Sequence, residues 1–345
     1  MTAPAVLVRD DAVYVVGAGA QTAVGRSVLA GAAAVRCGIS AYAEHRAPWF
    51  DEWLSADERV AALGADAARE ALAPLAGRLA WLDGPLPVHV ALSAETLPEP
   101  AVRERVLGAL LAGAGVEAAR AAVDVVADGH AGGLLALERA AWRLRAGQAH
   151  ACLVGGADSW LDPERLEALD FAGRLHSVNQ SWGFTPGEGA GFCVLATGRA
   201  ALALGLAPLA ELLSVATAEE TKRMGTRTVC TGEGLTAAFR AALDPRWPVA
   251  HGYCDFNGET YRADEYGFTV CRTSDRFVDA GSFTAGAECW GDVGAASAPL
   301  GVGLAVASWA RGYAPGAVQL VWGSSASGPL RGAAVLRAPL RAPET

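Results

Sequence analysis

The eighteen residues from Val293 to Ala310 contain no charged side chain. This is close to the length that spans a bilayer. The segment nevertheless carries Pro299, Ser297, Ser308, three glycines and many alanines, where a lipid-facing helix would be rich in Leu, Ile and Val. It therefore reads as a helix enclosed by protein. A helix with no polar face needs other elements packed around its whole circumference. The fold must accordingly be layered, and large enough to bury one helix completely. The chain has the material: 345 residues, 52% hydrophobic and 19% charged. That composition is far from the low hydrophobicity and high charge of disordered chains.

Charge and cysteine usage exclude several function classes. Lys and Arg number 28 against 37 Asp and Glu, a net charge of −9, and there is no basic run. Such a chain is a poor ligand for a phosphate backbone, so no nucleic-acid partner is expected. The opening Met1–Arg9 lacks the basic and long apolar regions of a secretory leader, and no membrane span is expected. The seven cysteines are scattered, with no CxxC and no Cys/His cluster at zinc spacing. They read as buried thiols in a reducing cytosol, which predicts a cytoplasmic protein with no structural metal.

The order of elements repeats. Val13–Val16 is a short apolar run, and Gln21–Arg36 and Ala56–Ala73 are helix-like. Val88–Leu92 reads as a strand, Pro98–Ala114 as a helix, Ala122–Val126 as a strand. Gly132–Gly147 is a strongly patterned helix, and Ala151–Val154 and Gly189–Thr197 are strands. A second series runs through Leu209–Ala216, Gly234–Leu243, Val249–Asp255, Glu259–Arg272, Asp292–Arg311, Val318–Trp322 and Gly332–Arg337. This suggests an internal duplication, with residues 1–200 and 201–345 as similar halves of one compact unit. Strands separated by helices imply mainly parallel sheets covered on both faces.

Gly17-Ala-Gly19-Ala-Gln-Thr22 begins like a dinucleotide fingerprint, but Thr22 stands where the third glycine belongs and no acidic residue closes a second strand at the right distance. A tight turn leaving the first strand is the expectation, and no cofactor is expected.

Three other motifs carry more information: Gly155-Gly156-Ala-Asp158-Ser159, Gly183-Phe184-Thr-Pro-Gly187-Glu188-Gly189-Ala-Gly191, and Gly291-Asp292-Val-Gly294. Together with the opening Val15–Gly25, they resemble the β-ketoacyl synthases of the thiolase superfamily, in matching order from about residue 13 to 337. The resemblance implies an α/β thiolase fold, five-layered α-β-α-β-α from two similar halves. It also implies a homodimer or a heterodimer with a ketosynthase-like chain, joined across the strand Ala122–Val126.

The family's catalytic positions are altered. Its nucleophilic cysteine opens the long helix of the first half, where this chain has His130-Ala-Gly-Gly-Leu. Asn257 matches the first catalytic histidine, in Asn257-Gly-Glu-Thr. Asp292 matches the second, with Ala287 at the family's lysine and Gly328–Gly332 in place of its glycine-phenylalanine gate. Decarboxylative condensation needs a nucleophile that forms a stable thioester and donors that stabilise an enolate. An acyl-imidazole is labile, and an aspartate would repel the enolate. The implied function is therefore a catalytically inactive ketosynthase-like binding or scaffold protein, with no catalytic residues expected.

Within the resemblance two such roles are known. Thiolase-like proteins accompany type VI secretion effector-loading genes, and Ala32–His45 is similar to theirs; a secretion effector or adaptor would be the partner. Chain-length factors instead pair with an active ketosynthase. The alternative is an acyl-transfer or hydrolytic, thioesterase-like enzyme using His130 or Cys254. Asp128, Glu259, Asp264 and Glu265 could join His130 around a metal, but no spacing enforces this and helix-surface charges are expected. Cys289, Trp182 and Trp290 would flank or fill the former pocket.

Overall fold

The computed structural model describes residues 6–41, 54–78, 84–117, 121–223 and 226–340. Trp49, Trp53, Trp81 and the end of the Ala32–His45 stretch lie outside them.

Ten strands form one twisted sheet. The first five are β1 (Val13–Thr22), β2 (Leu86–Ala91), β3 (Ala121–Val126), β4 (Ala151–Ser159) and β5 (Glu188–Thr197). The second five are β6 (Ala210–Glu219), β7 (His251–Cys254), β8 (Phe283–Ala285), β9 (Val318–Ser324) and β10 (Leu330–Arg337). Their spatial order is β3-β2-β4-β5-β1-β6-β10-β9-β7-β8. Outward from the β1/β6 seam, the first half runs β1, β5, β4, β2, β3 and the second runs β6, β10, β9, β7, β8. These are the same path through the first, fifth, fourth, second and third strand of each half. The senses agree as well. β5 is antiparallel to β1 and β4, as β10 is to β6 and β9, while β2 is parallel to β3 and β4, as β7 is to β8 and β9. Strand order and strand sense thus follow one pattern on either side of the β1/β6 seam. The expectation of mainly parallel sheets is corrected: each half is mixed, because its last strand inserts antiparallel between two earlier ones.

Helices cover the sheet on both sides. The outer layer of the first half is α2 (Ala56–Leu72) and α3 (Pro100–Gly113), following a short α1 (Val28–Arg36). Alternation along β1 divides the core as period-two geometry requires. Tyr14 and Val16 face α2 and α3, packing with Leu63, Ala67 and Leu110, while Val13 and Val15 face the centre of the molecule. The centre holds α4 (Gly132–Arg145) and α10 (Ser297–Ala310), whose Leu134, Leu137, Val302 and Ala305 pack with Leu195, Leu212, Val321 and Ala334 from both half-sheets. Between these two in chain order come α5 (Pro163–Phe171), α6 (Gly198–Ala203), α7 (Glu233–Ala242), α8 (Thr260–Thr273) and α9 (Ala287–Trp290). On the far side α7 and α8 place Leu235, Phe239 and Tyr266 against Leu320, Trp322 and Val335. The layers are therefore α-β-α-β-α, with the charge-free helix α10 in the middle one. Each fully buried Leu, Val or Phe there contributes roughly 1.5–3 kcal/mol relative to exposure. Pro299 is tolerated because it lies in the first turn of α10, where amides have no intrahelical partner. Among the described residues no helix is long and apolar enough to cross a membrane.

Gly17 and Gly19 correct another expectation. They do not turn the chain; β1 continues through them to Thr22. A Cβ at Gly17 would lie 2.0 Å from the Ala71 carbonyl oxygen, and one at Gly19 would lie 1.9 Å from that of Ala67. The glycines let α2 rest directly on the strand. Gly155 and Gly156 are likewise inside β4, and a Cβ at Gly156 would meet the Ala295 carbonyl at 2.3 Å.

Candidate functional site

The two central helices begin alike. The chain leaves β3, passes Gly129 at φ 59°, and makes the 3-10 turn Gly129–Ala131 that leads into α4. In the second half Gly294, at φ 47°, opens the 3-10 turn Gly294–Ala296 before α10. At both places a side chain would be strained by positive φ. The two turns meet, and the candidate site is built around them.

His130 lies in the first turn and is 1% exposed. Its Nε2 donates to Asp292, 2.8 Å from Oδ1 and 2.9 Å from Oδ2. Asp292 is fixed through its backbone by the glycine-rich segment before β5: its amide donates to the Thr185 carbonyl at 2.7 Å, and its carbonyl accepts from Gly187 at 2.9 Å. Gly187 has to be glycine, since a Cβ there would sit 2.2 Å from the Trp290 carbonyl. The Asp292 carboxylate also accepts from the Gly294 amide at 2.8 Å, from Trp160 Nε1 at 3.1 Å and from Asn257 Nδ2 at 2.5 Å. Asn257 follows β7; its Nδ2 also reaches Glu259 Oε2 at 3.1 Å, and its Oδ1 accepts the Glu259 amide at 3.0 Å. Glu259 in turn holds Arg174 Nε at 2.9 Å. The structure therefore brings His130, Asn257 and Asp292 into one hydrogen-bonded cluster.

Electrostatics bind this cluster tightly. Burial and the nearby Arg262 guanidinium both push the His130 imidazolium down, and a helix start is a poor place for a cation. The Asp292 carboxylate outweighs them, and the imidazole is held above its usual value. Burial likewise disfavours the charged Asp292, but His130, Arg262 and the Gly294 amide more than compensate, holding its carboxyl well below the usual range. Arg262 is itself buried, ion-paired with Asp255 and donating to the Ser324 carbonyl at 2.7 Å. Asp158, at the end of β4, accepts from Thr96, from the Ser159 amide at 3.0 Å and from the Ala295 amide at 2.8 Å. Burial nevertheless pushes it up to about 6.

His130 Nδ1 is buried without a hydrogen-bond partner among the described residues. The imidazole is thus walled in on one side and occupied on the other, an arrangement suited to holding two halves together. A cavity of about 380 Å³ borders Asn257, Phe256, Phe283 and Ala287. The Cys254 side borders only a space of about 20 Å³, room for one water.

The other candidates fall into place as follows. Burial pushes the Cys254 thiol well up, the wrong direction for a thiolate nucleophile, and Cys289 is buried and also pushed up. Among the described residues no three His, Cys, Asp or Glu side chains could hold a metal together. Glu265 is no surface charge: both it and Arg331 are fully buried, paired at 2.6 Å and 2.8 Å. Glu259 is buried as well, while Asp264 is exposed and Asp128 intermediate. Trp290 is buried against Gly286, whereas Trp182 is 69% exposed and fills no space. Trp160 is a further residue of the cluster, and its only sequence signal is that it directly follows Asp158-Ser159.

A family model described as beta-ketoacyl synthase, N-terminal domain, matches residues 120–201. No curated protein matches the chain. Several solved structures do. The ishigamide ketosynthase/chain length factor has a TM-score of 0.76 at 17% identity, over 95% of this chain and 99% of that one. A type II PKS acyl-carrier protein in complex with its ketosynthase bound to the hexaketide gives 0.75 at 16%, over 96% and 100%. The ketosynthase from module 6 of the bacillaene synthase of Bacillus subtilis 168 gives 0.73 at 14%, over 95% and 72%. At these identities the likeness shows the fold: the mixed sheet and its helices match ketosynthase structures of thiolase fold.

Proposed function

We propose that this chain is a ketosynthase-like protein without condensing activity, acting in the cytosol as a binding or scaffold subunit. The observation that carries the reading is the His130–Asp292 pair. The position that matches the family's nucleophile holds a buried imidazole already bound by the residue at the second histidine position. Asn257, at the first histidine position, is bound to the same carboxylate. None of the three is free to accept an acyl group or to donate to an enolate.

Two settings fit such a subunit. One is pairing with an active ketosynthase, supported by the similarity to a ketosynthase/chain length factor. The other is type VI secretion, with an effector or adaptor as partner, supported by the Ala32–His45 resemblance. Neighbouring genes for a synthase and carrier protein, or for effectors and spikes, separate the two.

The chemical test incubates wild type and His130→Cys with acyl and malonyl thioesters and follows CO₂ release and covalent adducts by mass spectrometry. No CO₂ from either protein is expected, even where the new thiol is acylated. Rapid decarboxylation by the wild type would overturn the reading and make His130 catalytic. Hydrolysis of acyl thioesters that His130→Ala abolishes would support the acyl-transfer or thioesterase alternative.

A further inference from the structure

The largest cavity described, about 580 Å³, lies far from His130, between the start of β6, the end of β10 and the segment after α7. Ser325, next to the first central turn, bonds Leu330 at the start of β10, whereas Arg337 ends that strand, about 23 Å from Leu330 at the usual strand rise. The lining is basic in a chain whose net charge is −9. Arg9, Arg246 and Arg337 line it. Glu211 accepts from both Arg9 and Arg337, and Asp244 holds Arg246 Nη2 at 2.5 Å. Three guanidiniums thus share two carboxylates.

The excess charge is placed where an anion could use it. Arg337 is 5% exposed, and its Nε is buried without a hydrogen-bond acceptor among the described residues. Trp247 covers the guanidinium, 4.5 Å from ring centroid to Cζ. Arg9, with its side chain 57% exposed, reaches the cavity from the other side of Glu211. The carbonyl at the end of α7 that would repel an anion, that of Ala242, is occupied by Ser214 Oγ at 2.6 Å. A guanidinium that shares its carboxylate is a ready partner for a second oxyanion.

We infer that this cavity is a binding site for a small oxyanion, the carboxylate or phosphate group of a metabolite, received by Arg9, Arg246 and Arg337. It is independent of the inactive-subunit reading.

The test measures binding of inorganic phosphate and of benzoate by calorimetry to the wild type, Arg9→Gln, Arg246→Gln and Glu211→Gln. Saturable binding by the wild type is expected. Loss of a charge-assisted hydrogen bond should weaken it about tenfold in Arg9→Gln and Arg246→Gln. Glu211→Gln, which removes a competing carboxylate, should tighten it. Arg9 and Arg246 are surface residues, so their variants decide the matter even where Glu211→Gln fails to fold. Preference for phosphate assigns a phosphate ester as ligand; preference for benzoate assigns a carboxylic acid. Absence of binding by the wild type, or unchanged affinity in both arginine variants, would overturn the inference.

Discussion

Asp292 holds His130 with both carboxylate oxygens, joining the start of one central helix to the approach to the other. Both side chains are buried, so removing either partner leaves an uncompensated charge. Asp292→Asn should cost about 3–5 kcal/mol of stability, read from urea unfolding at constant m. The double variant His130→Gln/Asp292→Asn should recover part of that loss. A cost below ~1 kcal/mol for Asp292→Asn would show that the pair is not coupled. The pH window follows from the two shifts. His130 is raised, so its contribution is complete below 6.5 and lost as pH rises through its folded value. Asp292 is lowered, so its contribution is complete above 3.8 and lost as pH falls through its folded value. The pair should therefore contribute most between these two values.

Asp158 has the opposite sign for a carboxylate. Its folded value of about 6 stands above the ordinary 3.8, so the folded protein retains a proton that the unfolded chain gives up. Stability should fall as pH rises from 3.8 to about 6, by on the order of 3 kcal/mol. The check compares unfolding free energies at several pH values with those of Asp158→Asn, which cannot titrate. Parallel curves for the two proteins would refute the shift.

Gly19 should tolerate no side chain. Even Ala would drive its Cβ into the Ala67 carbonyl, 1.9 Å away, forcing α2 off the sheet. Overpacking of this kind costs about 1–3 kcal/mol or more. Gly267, whose added Cβ meets nothing within 4 Å, is the control: Gly267→Ala, on the exposed face of α8, should be neutral or stabilising by helix propensity. Thermal melts of the two variants give the comparison.

The edge at β3 should be an interface. Among the described strands β3 pairs with β2 alone, and Val123 is 40% exposed on it. An open edge of this kind is a template for pairing with a second chain. A homodimer, or a heterodimer with a like chain, is expected at micromolar concentration. Val123→Lys should dissociate it in sedimentation velocity, and a wild-type monomer under those conditions would sink the expectation.

Elements with local signals were legible in the sequence. The patterned helix at Gly132 and the charge-free helix ending at Ala310 are both central, and His130, Asn257 and Asp292 lie in one hydrogen-bonded cluster. What was missed depends on partners distant in sequence. Gly17 and Gly19 look like a turn because glycine's local meaning is a turn; only the approach of α2 reveals their use. Glu265 reads as a surface charge until Arg331, 66 residues away, is folded against it. The antiparallel insertion of β5 leaves no periodicity of its own, since a strand buried on both faces looks alike in either direction. Short α5 and α6 were lost among glycines and prolines.

The seam position of β1 has a consequence for how the molecule is made. This strand leaves the ribosome before the other nine described strands, yet its main partner β5 begins at Glu188 and its other neighbour β6 at Ala210. Most of the first half must be synthesised before β1 has anything to pair with. β10 then inserts beside β6 only after the other nine described strands have been made. Contacts so distant in sequence fold slowly. The nascent chain therefore carries its Val13–Val16 run unpaired while residues up to β5 are made, which exposes that run to the need for chaperone cover.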